Sequence, residues 1–273
     1  MAKEFRFGVG LQAARKAESV QDWARRAEGM GYDIVHMADH LYTTAPFPMM
    51  TALALATQKL RVGTFVLNAG FYKPALLARD TSSLRDLSGG RFDLGLGAGY
   101  VKEEFDEAEI PYPTARERVD WLGHVTKHMK EHVPDVPILI AGNGDRLLTL
   151  AAQRADIIGL TGGAPATDDT DPLADRIAFV RNAAGDRFDS LELNIAVTAM
   201  PTDHSGKPDL SITRRFLPDL SEDELLRTPA VLSGSTSDIA DTIRHYRDHY
   251  GITYITVQQF HAEAFAKVIE LLR

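Results

Sequence analysis

Few side chains in this sequence can do chemistry near neutral pH, and their positions narrow the choice further. His40 follows the apolar run Ile34-Val35-His36-Met37-Ala38, and an imidazole with a pKa near ~6.5 can give or take a proton at physiological pH. Asp39 precedes it. Neighbouring residues of an extended chain face opposite sides, so the two need not act together. A purely structural role is the competing reading for a lone histidine at a strand end. Three later segments are glycine-rich: Gly95-Leu96-Gly97-Ala98-Gly99, Ala141-Gly142-Asn143-Gly144 and Thr161-Gly162-Gly163. Glycine lets a backbone approach a ligand closely, and free N–H groups beside a helix start attract phosphate. Tight strand-to-helix turns also need glycine, and both readings stand at this level. The first cluster is not a dinucleotide fingerprint, because position 100, where that motif needs its third glycine, is Tyr100.

Other candidates carry less. His124, His128 and His132 recur every four residues, as do His245 and His249, a spacing that can hold a metal. No carboxylate stands in register with either set and no His-Glu-x-x-His is present, so no metal site is expected. The acidic run Glu103-Glu104-Phe105-Asp106-Glu107 reads as a solvated helix face. The sequence has no cysteine, which excludes disulfides, thiolate metal sites and a cysteine nucleophile.

The elements that must position these residues alternate from end to end. Strand-like runs cover Phe5–Gly10, Ile34–Ala38, Leu60–Leu67, Phe92–Gly97, Pro137–Ala141, Asp156–Leu160, Leu191–Val197 and Tyr254–Gln258. Most are continuous apolar stretches, as parallel strands covered on both faces must be. Helical segments follow them. Ser19 and Gly31 bracket one, Pro74 opens Ala75–Leu87, and Thr114-Ala-Arg-Glu117 is a capping box before a helix that stops short of Pro134. Ser235–Tyr250 and Ala262–Leu272 supply the last two. Eight strand–helix pairs predict an α/β fold, a single (β/α)8 TIM barrel over residues 1–273. Residues 199–232, with Pro201, Gly206, Pro208, Pro218 and Pro229, break the rhythm and read as an irregular insertion between strand seven and its helix, a lid rather than a linker. Barrel active sites sit at the carboxyl ends of the strands. That rule keeps His40, the glycine clusters and Asn68, and it puts Gln12, Tyr100 and Gln258 on a substrate pocket.

Composition bounds the partners. Lys and Arg number 30 against 38 Asp and Glu, a net charge of −8 in 273 residues, which disfavours nucleic acid. No run reaches the ~20 apolar residues of a membrane helix. The start Met-Ala-Lys-Glu-Phe-Arg-Phe lacks the apolar core of a signal peptide, so a cytoplasmic location is expected.

Several stretches resemble the bacterial luciferase-like family of flavin and deazaflavin oxidoreductases. They are Ala24 through Asp39-His40-Leu41, Leu60-Arg-Val-Gly-Thr64-Phe-Val-Leu-Asn68, Pro74 through Arg91-Phe-Asp-Leu-Gly-Leu-Gly97-Ala-Gly99, Pro137 through Gly144, Ala151 through Asp156, and Leu232 through Ile255. The resemblance leans to the coenzyme F420 branch. It implies a (β/α)8 barrel with the deazaflavin ring at its mouth, and a hydride exchanged with a small organic substrate. It also implies a cis Phe65–Val66 peptide behind the ring and Asn68 nearby. Asp39, Gly97, Ala98, Gly99, Ala141, Gly142, Asn143, Gly144, Thr161 and Gly162 would complete the cofactor set. His40 matches a histidine beside the ring that orients substrate or handles the proton, so it is the catalytic candidate. Tyr100 stands where sugar-phosphate dehydrogenases of this family carry a carboxylate, which argues against that substrate. The alternatives are an FMN-dependent monooxygenase and a non-catalytic flavin- or deazaflavin-binding relative. The family commonly pairs, so a homodimer is expected.

Overall fold

The computed structural model describes residues 3–11, 20–160, 163–167 and 169–273. Gln12, Thr161 and Gly162 lie outside them. In chain order the elements are β1 (Arg6–Leu11), α1 (Val20–Gly29), β2 (Ile34–Met37), α2 (Pro46–Ala56), β3 (Arg61–Thr64), β4 (Leu67–Asn68), α3 (Pro74–Leu87), β5 (Phe92–Gly97), α4 (Lys102–Glu107) and α5 (Ala115–His132). Then come β6 (Ile138–Ala141), α6 (Asp145–Arg154), β7 (Ile157–Leu160), α7 (Pro172–Ala184), β8 (Glu192–Ala196), α8 (Ser211–Phe216), α9 (Glu222–Leu226), α10 (Thr236–His245), β9 (Ile252–Gln258) and α11 (Ala262–Leu272).

The strands pair in the order β3-β2-β1-β9-β8-β7-β6-β5-β4, all parallel, and a β3–β5 pairing closes the ring. β3 and β4 are two halves of one barrel strand, parted at Phe65–Val66, whose peptide is cis as the resemblance implies. The result is a closed (β/α)8 barrel. Parallel strands need crossovers, and helices supply each one, so both faces of every strand are covered. Two of the expected helix starts are present: Pro74 opens α3, and the reciprocal Thr114–Glu117 capping box opens α5; Ser19, expected to open the first helix, lies outside the described residues. Residues 199–232 are less irregular than expected, since they hold α8 and α9, the second started by a Ser221–Glu224 capping box.

The main core lies between strands and helices. A second cluster joins Ile34, Leu139, Ile157 and Tyr254, with Phe65, Val66 and Ala141 packed on it. Its members come from β2, β6, β7 and β9, which are not all neighbours, so they meet through the barrel lumen. Towards the amino ends of the strands a charged network fills the lumen: Arg6 pairs with Asp93 and Glu192, and Arg61 also binds Asp93. Arg6 lies over the Tyr254 ring at 4.5 Å. With that end plugged by side chains, the carboxyl-end mouth is left for ligands.

Candidate active site at the carboxyl ends of the strands

Residue 40 stands three positions past β2. Its Nδ1 lies 2.8 Å from Glu104 Oε1, with the histidine side chain 37% exposed and the carboxylate only 6%. Glu104 corrects the reading of the acidic run as a solvated face. Glu103, Asp106 and Glu107 are exposed, but Glu104 and Phe105 are buried. The signal was present in the spacing, because Val101, Glu104, Phe105 and Ala108 form an i, i+3, i+4, i+7 stripe. The carboxylate occupies a position that a core residue would normally hold. Phe105 anchors it there, packing on Phe71 (5.4 Å between ring centroids) and Tyr112 (5.1 Å). Gly70 makes room for that ring: a Cβ at this position would stand 2.6 Å from Phe105 Cε1.

Asp39 turns the other way, as its neighbour's orientation requires. Its Oδ2 accepts from the Asn68 N–H at 3.2 Å, and the Tyr72 hydroxyl also bonds to it. Burial raises its pKa above the ordinary carboxylate value, against the lowering by those two donors. Asp39 therefore ties the end of β2 to β4, next to His40 and not partnered with it. Asn68 is buried and caps the short turn after β4, its Oδ1 accepting from the Gly70 N–H at 3.0 Å.

The glycines of β5 have a packing role of their own. A Cβ at Gly95 would fall on the Thr64 carbonyl oxygen, one at Gly97 would lie 2.7 Å from Val66 Cγ2, and one at Gly99 would overlap the Asn68 amide. Alternate residues 95, 97 and 99 thus face alternate residues 64, 66 and 68, which lets the interrupted strand lie close against β5. Ala98 sits partly buried among them.

Across the mouth, Ala141 ends β6, and the Gly142 N–H donates to the Gly159 carbonyl at 3.2 Å. Gly144 is the N-cap of α6, has no side-chain cap, and faces open space where a Cβ would be. The N-cap position therefore offers no side-chain acceptor to the first N–H groups of this ten-residue helix. Gly163, after β7, also borders open space. Tyr100 is exposed beyond β5, and Gln258 ends β9, its Oε1 3.7 Å from where a Gly10 Cβ would be.

One residue of this region had no functional reading in the sequence. His36 is buried in β2, its ring stacked on Phe65 at 5.1 Å and 11°, and its Nε2 lies 2.5 Å from the Tyr254 hydroxyl. Burial, then the Arg6 cation, push its pKa down to about 3, so the ring is neutral. The outer histidines make stacked pairs, His128 on His132 at 3.8 Å and His245 on His249 at 5.0 Å. Among the described residues no group of three or more His, Cys, Asp or Glu could hold a metal. Nor is any of the described helices long and apolar enough to cross a membrane.

The profile of a family described as luciferase-like monooxygenase matches residues 3–207. The chain is 28% identical over 180 residues to a 5,10-methylenetetrahydromethanopterin reductase of Archaeoglobus fulgidus, covering 59% of this chain and 54% of that one. The Methanolobus tindarius protein of the same name is 27% identical over 213 residues, covering 71% and 64%. An F420-dependent glucose-6-phosphate dehydrogenase of Nakamurella multipartita is 29% identical over 220 residues, covering 68% and 65%. The chain thus spans less than two thirds of each of these relatives. Among solved structures, the coenzyme F420-dependent tetrahydromethanopterin reductase of Methanopyrus kandleri superposes with a TM-score of 0.79 at 17% identity, over 99% of this chain and 100% of that one. A long-chain alkane monooxygenase superposes at 0.77 and 14% identity, over 100% and 92%. At such identities the likeness is one of fold.

Proposed function

The chain belongs to the luciferase-like monooxygenase family, and from that premise we propose that it is an oxidoreductase moving a hydride between the deazaflavin coenzyme F420 and a small organic substrate. The observation that carries the proposal is the His40–Glu104 pair at the barrel mouth. The choice of F420 over FMN rests on relatives whose names include that coenzyme.

The residues fit such a cofactor. The uncapped start of α6 and the open space at Gly144 suit a phosphate. Gly142, Asn143 and Gly144, with Ala141, Thr161 and Gly162, would hold it. Phe65, Val66 and Asn68 would back the ring, flanked by Asp39 and by Gly97, Ala98 and Gly99. F420, when bound, supplies the carbon that donates or accepts the hydride.

The chain's own contribution is proton handling and placement. With its Nδ1–H donating to Glu104, His40 keeps Nε2 free to face the substrate. In the oxidative direction Nε2 takes the hydroxyl proton as the hydride leaves the adjacent carbon, and in reduction the imidazolium returns it. Glu104 stabilises that imidazolium and fixes the ring's orientation. Gln12, Tyr100 and Gln258 would line the substrate side, and residues 199–232 would cover it, joined to the barrel by the Thr198–Thr213 hydroxyl contact at 2.8 Å.

Equilibrium titration with F420 and FMN tests the proposal. Micromolar or tighter F420 binding is expected. FMN binding with none for F420 would favour the oxygen-using alternative. F420 binding with turnover unaffected by His40→Ala would favour a carrier.

A further inference from the structure

The surroundings of His40 also say something about what it meets. His40 O accepts from both the Thr43 N–H (3.0 Å) and the Thr43 hydroxyl (2.8 Å), closing a turn with Leu41 and Tyr42 at its corners. Those two side chains are 40% and 75% exposed. Tyr100, 69% exposed, lies on the link between β5 and α4, four residues before Glu104. The Arg118 guanidinium on the Gly99 carbonyl (2.9 Å) and the Tyr112 hydroxyl on the Tyr100 carbonyl (3.2 Å) anchor that link. Because His40 and Glu104 are hydrogen-bonded, the two segments converge, and they carry three large exposed side chains within four residues of the proton-handling pair. Single exposed apolar residues are ordinary, but a group at a catalytic mouth on anchored backbone marks a binding surface.

The charge around them is one-sided. Glu103, Glu104, Asp106 and Glu107 belong to the second segment, while Asp39 of the first is turned away towards Asn68. Apart from His40 when protonated, which Glu104 balances, the segments' one cation is Lys102, paired with Asp106, and nearby Arg118 is engaged by the Gly99 and Pro113 carbonyls and lies over the Tyr112 ring at 4.3 Å. An anionic group here would meet carboxylates, and the one cation not engaged by Asp106 or by carbonyls among the described residues of either segment, protonated His40, already has Glu104 as its counter-charge.

Resting on the oxidoreductase reading above, we infer that, beyond the reacting hydroxyl itself, the part of the substrate next to His40 is uncharged and apolar, an aromatic or alicyclic ring received by Leu41, Tyr42 and Tyr100. A phosphate or carboxylate on the substrate, if there is one, lies away from this sector.

The test uses F420-loaded protein and two probes of like shape, neutral 2-naphthamide and anionic 2-naphthoate, with binding measured by calorimetry at low salt. The amide is expected to bind about tenfold more tightly than the anion, given like-charge repulsion at the site. Tyr42→Ser and Tyr100→Ser, at positions exposed enough to leave folding intact, are each expected to weaken the amide about fivefold, the scale of one aromatic contact, with F420 affinity unchanged. Equal or tighter binding of the anion, or amide binding absent or indifferent to both substitutions, overturns the inference. The F420 titration is read separately, so loss of F420 binding would count against the cofactor reading and not against this one.

Discussion

Acid should unfold this protein through a histidine buried in the barrel lumen. His36 is fully enclosed, stacked on Phe65 and bonded to Tyr254, and burial followed by the Arg6 charge lowers its pKa to about 3. The unfolded chain binds that proton near pH ~6.5. Between those values the unfolded state holds more protons than the folded one, so stability is present above the unfolded pKa and is lost as pH falls towards the folded value. Going from about pH 7 to about pH 4.5, one such histidine costs about 2.5 kcal/mol, a sizeable part of a typical domain's stability. His261, pushed by burial to about 4, works in the same direction and the same window. Urea unfolding across this range measures the slope, and His36→Phe, which keeps a ring against Phe65, should remove about half of it. NMR of the imidazole should find His36 neutral down to about pH 4.5. A ring that titrates near pH ~6.5, or a slope identical in wild type and variant, would refute the reasoning.

Two other outcomes follow from the packing and the pair. Gly95→Ala would drive a Cβ into the Thr64 carbonyl, which is backbone and cannot swing aside; a loss of about 3 kcal/mol or failure to fold is expected in urea unfolding, and an unchanged midpoint would mean that β5 has slack it does not show. Glu104→Gln keeps the size and a hydrogen bond to His40 but removes the charge, so kcat with F420 should fall roughly 10²-fold with F420 affinity unchanged. Equal kcat would take the carboxylate out of the proton-handling step.

Much of the barrel was legible because its signals are local. A strand buried on both faces must be an unbroken apolar run, and the eight runs fall on barrel strands within a residue or two at most ends. The division of Leu60–Leu67 into β3 and β4 has no mark in residue type and was not expected; the resemblance implied only the cis peptide at Phe65–Val66, where the division falls. α8 and α9 were missed because six and five residues are too short for a helical period to show. At the site, His40 was found by its place after a strand, a rule of topology. Glu104 was hidden because its burial depends on which face of α4 packs inward, and three acidic neighbours in sequence suggest the opposite. His36 sat in plain view as the one polar residue in Ile34-Val35-His36-Met37, but only the tertiary contacts with Phe65 and Tyr254 give it meaning. The β5 glycines could be read in two ways from sequence. Their fit against residues 64, 66 and 68 explains them as packing.

The central claim is that this mouth holds a deazaflavin beside the His40–Glu104 pair, and a crystal structure of the F420-loaded protein tests it most directly. The account predicts the ring backed by Phe65 and Val66 with His40 beside its reactive carbon, and the phosphate at the start of α6 near Gly144. A ring seated away from His40, or a phosphate held by other elements, would contradict it.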